Sequence, residues 1–471
     1  MSHEQAGPRD VRVWGIRKYA GRRGATYNVR WRVGANAHSR TLSTRKLAEA
    51  FHASLITASR GGEPFNWQTG MPRSQEERAA PHTWLAVATA FMDMKWPHAS
   101  PRHRKGLAEA LTQASLLLTR PGGDPPAPDE LRRALYQWAF NTAARAGPLD
   151  TAAPPDALAQ PIGWIKRRSL PVTALTEPTT LRGVLAGLAT RQDGRPAAAA
   201  TTARKRSALF SVLDFAVEQG HLTKNPMEQL RVRTPRQLTT VDERTVVNRR
   251  QAVALLEAVA AAYPELEAFF ACIYYAALRP GEVRHLRRTD CDLPTAGWGT
   301  LTLTGSTQNA GSSWSDSGRV DDDRALKHRA AADYRKVPAH PDLVAILRAH
   351  LRRYDCGPDG RLFVTRTGPM GRPLPAPFSR PVSMNTVYRA WGMARRAALT
   401  DDVYAGPLAR RPYDLRHACV STWLNAGVPA TQVAEWAGHS VNVLLRVYAK
   451  VVSGQEDLAK RKIEQALESQ A

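Results

Sequence analysis

Five residues in the C-terminal half have side chains suited to chemistry at a phosphodiester: Arg279, Lys327, Arg416, His439 and Tyr448. A phosphodiester repels nucleophiles because its oxygens are negative, and displacement at phosphorus builds more charge on the equatorial oxygens. Guanidinium groups stay charged and present a fork that fits phosphate. Arg279 and Arg416 are therefore candidates to clamp those oxygens. His439 can donate a further hydrogen bond, and losing one such transition-state donor costs about 3–4 kcal/mol, or 10²–10³ in rate. Tyr448 offers a hydroxyl nucleophile for covalent catalysis, which splits one difficult displacement into two easier ones. Lys327 can give a leaving oxygen its proton as general acid, with Lys336 as its rival. Tyr413 and His417 flank Arg416 and are candidates to bind a phosphate oxygen.

The elements that carry these residues are legible locally. PELEAFFACIYYAAL (264–278) reads as an apolar helix, and Pro280 suits the first position of the next one. Arg279 then stands at a buried helix–helix corner, where Glu282 can buttress it by pairing. In LKHRAAADYRKVP (326–338), Lys327 precedes a turn and Arg335–Pro338 lie on a returning strand. YDLRHACVSTWL (413–424) holds Arg416 and His417. AEWAGHS places His439 twenty-three residues after Arg416, and LLRVYAK places Tyr448 nine residues after His439. Singly, each has an ordinary reading: a packed ring for Tyr448, a capped turn for His439, a structural ion pair for Arg279, a solvated loop for Lys327. Their order and spacing favour a shared site.

The series resembles the tyrosine recombinase (phage integrase) family. That family's first box has a Leu-Arg-x-x-Glu context, matched by Leu278-Arg279-Pro280-Gly281-Glu282. Its hairpin lysine corresponds to Lys327, its second-arginine box to Asp414-Leu415-Arg416-His417, and its final pair to Gly438-His439-Ser440 and Tyr448. One position departs: the family's histidine or lysine, three before the second arginine, is Tyr413. Tyrosine, with a reference pKa of about 10, is a poor proton acceptor at neutral pH, so Tyr413 is assigned to binding. The resemblance implies attack by Tyr448 to give a 3′-phosphotyrosine and a free 5′-hydroxyl, without metal or cofactor. It also implies double-stranded DNA attachment sites as partners and a homotetramer assembled on DNA. Integration and excision of a phage or other mobile element follow from it, with a directionality factor and a DNA-bending host protein as accessory partners.

Upstream, the chain reads as two further units. In YNVRWRV, Tyr27, Val29, Trp31 and Val33 alternate with Asn28, Arg30 and Arg32, so one strand face is apolar and the other basic. VRVWGIRKY and HSRTLST read as flanking strands. TRKLAEAFHASLITAS reads as a helix capped by Thr44, with Leu47, Phe51, Leu55 and Ala58 as its stripe. Residues 9–60 hold twelve lysines and arginines against two acids. This unit, 9–62, resembles an arm-site DNA-binding domain, with Arg30 and Arg32 as DNA contacts. Residues 61–80 read as a linker. A helical section, 81–232, resembles a core-site DNA-binding domain. Its clearest helices are TWLAVATAFMDMKW, ELRRALYQWAFNTAAR and TARKRSALFSVLDFAVEQG, and Pro-rich stretches near 121–128 and 152–173 read as loops. Arg204, Lys205 and Arg206 are its candidate phosphate contacts. A basic second linker (231–250) leads to the catalytic domain, 245–471. The fold class is thus multidomain α+β: a three-stranded sheet with a helix, an all-helical unit, and a mainly helical catalytic domain with a small sheet.

The chain of 471 residues has a formal net charge of +24, a field that attracts polyanions. Its four cysteines form no CxxC pair and its histidines no zinc-ligand spacing. No apolar run approaches the ~18–20 residues of a membrane span, and the first residues lack a signal peptide's apolar core. A cytoplasmic, nucleoid-associated protein with no membrane partner is expected, whose DNA binding falls steeply with salt. A C-terminal helix with Leu458, Ile463 and Leu467 is expected to dock on a neighbouring protomer. STWLNAGVPATQVAEWAGHS also has the look of a helix-turn-helix. A non-catalytic DNA-binding regulator is therefore the main alternative. A type IB topoisomerase and a chromosome-dimer resolvase follow it.

Overall fold

The computed structural model describes residues 10–21, 24–72, 82–230, 240–327, 330, 333–448, 460–461, 464 and 467–468. Strands β1 (Val11–Val13), β2 (Arg17–Gly21), β3 (Gly24–Val33) and β4 (Asn36–Leu42) make an antiparallel sheet with β3 in the middle. The expected single first strand is two. Val13 faces Trp31 and Arg17 faces Asn28, so four steps along one edge match three along β3. The extra residue is a bulge at Trp14–Gly15–Ile16, and the sheet has four strands rather than three. Val29, Trp31 and Val33 point into the core, while Arg30 and Arg32 are exposed on the other face. Helix α1 (Arg45–Arg60), capped by Thr44, covers the apolar face with Ala48 and Leu55; Leu47 lies outside the stripe, exposed. The start of the expected linker belongs to this unit. Phe65 is buried in its core, and the Trp31 indole N–H donates to the Gly70 carbonyl.

The helical section contains α2 (Trp84–Lys95), α3 (Pro101–Leu117), α4 (Pro128–Ala134), α5 (Asp156–Arg168), α6 (Pro178–Leu188) and α7 (Ala199–Glu218) around one core. The expected loop near 152–173 contains α5. Pro161 lies inside it and forfeits one backbone hydrogen bond. Its burial with Ile162 and Ile165 against the core offsets that loss. A π-helical stretch, Leu135–Ala139, follows α4.

The C-terminal section packs α8 (Arg249–Ala262), α9 (Glu267–Ala276), α10 (Pro280–His285), α11 (Pro341–Arg353), α12 (Met384–Ala398) and α13 (Asp414–Asn425) against a small sheet. The sheet is antiparallel, in the order β5 (Cys291–Asp292), β6 (Gly299–Leu303), β9 (Arg335–Ala339). Helices α14 (Ala430–Ala437) and α15 (Val441–Val447) complete it. The stretch 449–459, which includes Leu458, lies outside the described residues, as does Ile463. Leu467 is exposed.

Between β6 and β9 an inserted hairpin, β7 (Ser306–Asn309) and β8 (Asp321–Arg324), reaches across to the helical section. At its root, Arg284 donates to the carbonyls of Val382 and Thr307 and to Asp321, and Arg361 to Thr307 and Asp323. At its tip, Trp314 sits in the core of the helical section, 5.7 Å from the Trp96 ring and 5.0 Å from Tyr136. The buried Arg104 guanidinium lies 4.5 Å over Trp96 and grips Asp316 with two bonds, 2.7 and 3.1 Å. The hairpin is therefore a strut fixed at both ends.

Candidate active site

Four of the five spaced residues come together, each delivered by a helix end. Helix α9 closes with Ala277 in the left-handed region (φ +51°), which turns the chain sharply into Leu278 and Arg279. Pro280 starts α10, and Glu282 at its third position accepts the Arg279 backbone N–H at 2.8 Å. The Arg279 guanidinium donates to the other Glu282 oxygen at 2.7 Å and to the Gly438 carbonyl at 2.6 Å. Its side chain keeps 19% exposure, so one edge faces solvent.

Arg416, in the first turn of α13, is wholly buried. It donates to the carbonyls of Ala277 and Ala437, at the C-termini of α9 and α14. Helix C-termini carry partial negative charge and suit a cation. The same guanidinium donates to His439 Nε2 at 2.9 Å. His439 follows Gly438, whose positive φ of +65° ends α14. Burial, with Arg416, Arg279, His417 and Arg335 adding their repulsion, lowers His439 to about 3, so its ring is neutral at pH 7. Since Arg416 can only donate, Nε2 accepts and the ring proton sits on Nδ1. Among the described residues that nitrogen is buried without a partner, as are Arg416 Nε and Arg335 Nε, so three donors there have no acceptor.

Tyr448 caps α15 and is 1% exposed. Its ring stacks beside His439 at 6.4 Å, and its hydroxyl meets His417 Nδ1 at 2.8 Å. Burial raises the phenol well above its usual value; Arg416 and Arg279 oppose this. His417 was expected on the phosphate. In the structure it meets the tyrosine hydroxyl, because one step along α13 from Arg416 turns it toward α15. Tyr413 packs edge-on against His417 at 5.2 Å and under the Arg416 guanidinium at 5.8 Å.

Sequence reasoning missed Arg335. This first residue of β9 is buried and donates to Glu282 at 2.8 Å, so one carboxylate serves two arginines. Burial alone would push the Glu282 carboxyl up. Arg335, Arg279 and Arg416 together outweigh it and leave the group below the usual carboxylate range. The pattern Arg-Lys-Val-Pro on a returning strand was a signal, since alternation with the inward Val337 turns Arg335 to the inner face.

No protein-family model matches the chain, and neither does any curated protein. Solved structures share parts of its shape. A fragment of the Tn1549 transposon integrase in complex with a circular intermediate DNA overlaps at a TM-score of 0.44 and 14% identity, over 72% of this chain and 94% of that one. XerH site-specific recombinase bound to difH substrate gives 0.41 and 13%, over 77% and 90%. A lambda integrase dimer bound to a core site gives 0.37 and 17%, over 59% and 85%. These solved proteins are integrases and a site-specific recombinase. At overlaps this partial, the functional reading rests on the geometry of the site itself.

Lys327 is exposed on the turn after β8, and among the described residues no bond joins it to the other four. Lys336 is exposed on β9, opposite Thr302. Among the expected DNA contacts, Lys205 is a correction. It is buried, with its ammonium on Gln113 at 2.7 Å and near Glu109 at 3.8 Å. Arg204 leans on Glu109 at 3.6 Å from an exposed position, and Arg206 is half-buried.

Proposed function

We propose that the protein is a site-specific DNA recombinase that cuts and rejoins strands through a covalent bond between Tyr448 and a DNA phosphate. One observation carries this reading. Two arginines and a neutral histidine, spread over 160 residues of chain, converge beside a tyrosine hydroxyl. The unpartnered donors of Arg416 and His439 suit the oxygens of a phosphate in transition. Arg279, with its open edge, and Arg416 clamp those oxygens. His439 Nδ1 donates to one of them, Tyr413 contributes binding, and Tyr448 attacks. Lys327, on its exposed turn, swings in over bound DNA to protonate the 5′ oxygen. The exposed Arg30 and Arg32 of the N-terminal sheet bind a second, arm-type site. Recombination joins two sites, each cut on both strands, so four protomers act together on DNA. Integration and excision of a mobile element is the role that fits, with a directionality factor and a DNA-bending protein as helpers.

A helix-turn-helix reader is the weaker account. Helix α13 is buried along most of its length, and the outward residues of α14, Thr431, Gln432 and Glu435, include no cation for phosphate.

The test is a suicide-substrate assay. Duplexes selected for binding from a random-sequence pool are nicked at each position in turn. They are mixed with wild-type protein or Tyr448→Phe and run on a denaturing gel. A protein–DNA adduct with wild type alone is expected. Specific binding without an adduct from either would replace this reading with that of a regulator.

A further inference from the structure

The Tyr448 hydroxyl must lose its proton as it attacks, and the position three before Arg416, where a histidine or lysine is expected by resemblance, holds Tyr413. The side chain that touches the hydroxyl is His417, with Nδ1 at 2.8 Å from the phenolic oxygen. We infer that His417 is the proton acceptor for Tyr448 in strand cleavage and the proton donor in rejoining. The inference rests on the recombinase reading and names a residue that reading does not use.

The direction of the hydrogen bond supports it. The phenol is protonated at neutral pH and donates, so Nδ1 presents its lone pair and the ring proton lies on Nε2. The groups around the ring are Asp414, Arg416, Tyr413 and Arg411 from its own segment, His439 from the Gly438 turn, and Tyr448 from the end of α15. Burial, together with Arg416 and Arg411 acting against Asp414, lowers His417 to about 4, so the ring is neutral and free to accept. A large gap between phenol and imidazole is no obstacle, because the proton moves as the bond to phosphorus forms, as in serine–histidine pairs.

The step balances. A Tyr448 oxygen lone pair forms the O–P bond while the hydroxyl proton passes to Nδ1, making His417 imidazolium. The P–O5′ bond breaks, its electron pair goes to the 5′ oxygen, and that oxygen takes a proton from the Lys327 ammonium. In rejoining, the 5′-hydroxyl attacks phosphorus, returns its proton to Lys327, and the imidazolium returns its own to the tyrosine oxygen. The buried Asp414, one turn before His417, stabilises the transient imidazolium.

The experiment measures single-turnover cleavage of the nicked duplex against pH for full-length wild type, His417→Asn and Lys327→Ala. Asparagine keeps a hydrogen-bonding group near the hydroxyl but cannot take the proton. At pH 7 His417→Asn should cleave about 10²–10⁴-fold more slowly, the range for general acid–base catalysis, with DNA affinity unchanged. Wild type should be flat from about pH 6 to about 9. The variant should gain about tenfold per unit, because hydroxide must then remove a proton bound with a pKa above about 10. A substrate with sulfur at the 5′ bridging position needs no acid. It should rescue Lys327→Ala and leave the His417→Asn deficit in place. His417→Asn cleaving within about threefold of wild type would overturn the inference. So would a slowed variant with an unchanged flat profile, which makes His417 a packing residue. A wild-type rate that already climbs tenfold per unit would overturn it too, whatever the variant's folding. If wild type forms no adduct, the recombinase reading itself fails; an adduct with an unimpaired variant sinks only the role of His417.

Discussion

Replacing Glu282 by Gln should weaken the fold and the site together, for one reason. The carboxylate is 2% exposed and accepts from Arg279 and Arg335, both at hydrogen-bond distance. Arg279 retains the Gly438 carbonyl when the charge goes, but Arg335, 3% exposed, has no other partner among the described residues. Removing one member of a buried pair costs about 3–5 kcal/mol, because the remaining charge is left unpaired. The amide oxygen still accepts one bond, which favours the lower end, about 3 kcal/mol. With a urea slope of about 3 kcal/mol per M, the midpoint of the C-terminal unit should fall by about 1 M. Cleavage should slow by about 10–100-fold as Arg279 loses its buttress, since a misplacement of about 1 Å can cost that much. The double variant Glu282→Gln/Arg335→Met removes both charges and should recover more than half of the lost stability. The pH dependence has a definite sign. Because the folded carboxyl is held below its unfolded value, its stabilisation is fully present above about pH 4.3. It is lost as pH falls through the lower folded value. The midpoints of wild type and Glu282→Gln should therefore converge in acid. A double variant no more stable than the single one would refute the pairing argument.

Two further changes test how the site and the hairpin are held. In Gly438→Ala, the new Cβ would lie 2.3 Å from the Arg335 guanidinium and 3.1 Å from that of Arg279, at a φ of +65°. The left-handed backbone alone costs about 1–2 kcal/mol. Cleavage should fall by about 10²-fold, with DNA affinity within a few-fold; a variant that cleaves normally would show that the guanidiniums give way freely. Trp314→Ala removes an indole buried between Trp96 and Tyr136, worth about 3–5 kcal/mol in a single core. Its urea unfolding should split into separate helical and C-terminal transitions; one unchanged cooperative transition would deny the strut its role.

The residues proposed to contact phosphate were legible as a spaced series of side chains able to do chemistry, and the structure brings four of them together. Arg279, Arg416, His439 and Tyr448 lie at helix ends, where the sequence carries its own punctuation. Pro280 starts α10, Gly438 ends α14, and Ser440 caps α15 through the Val443 N–H at 3.3 Å. What stayed hidden depends on contacts between distant segments. Arg204, Lys205 and Arg206 form a basic run, yet successive helical residues point about 100° apart. The middle one faces inward onto Gln113, ninety-two positions away. Trp314 lies in a stretch rich in serine and glycine, with no period to mark it as core, and its burial is created by another unit's Trp96. Arg335 shows the same limit inside the site. Alternation says which face of β9 it takes, but only Glu282, fifty-three residues earlier, makes burying its charge tolerable. A buried cation is therefore the kind of residue most exposed to misreading from sequence. Its partner decides its place, and that partner is seldom nearby in the chain.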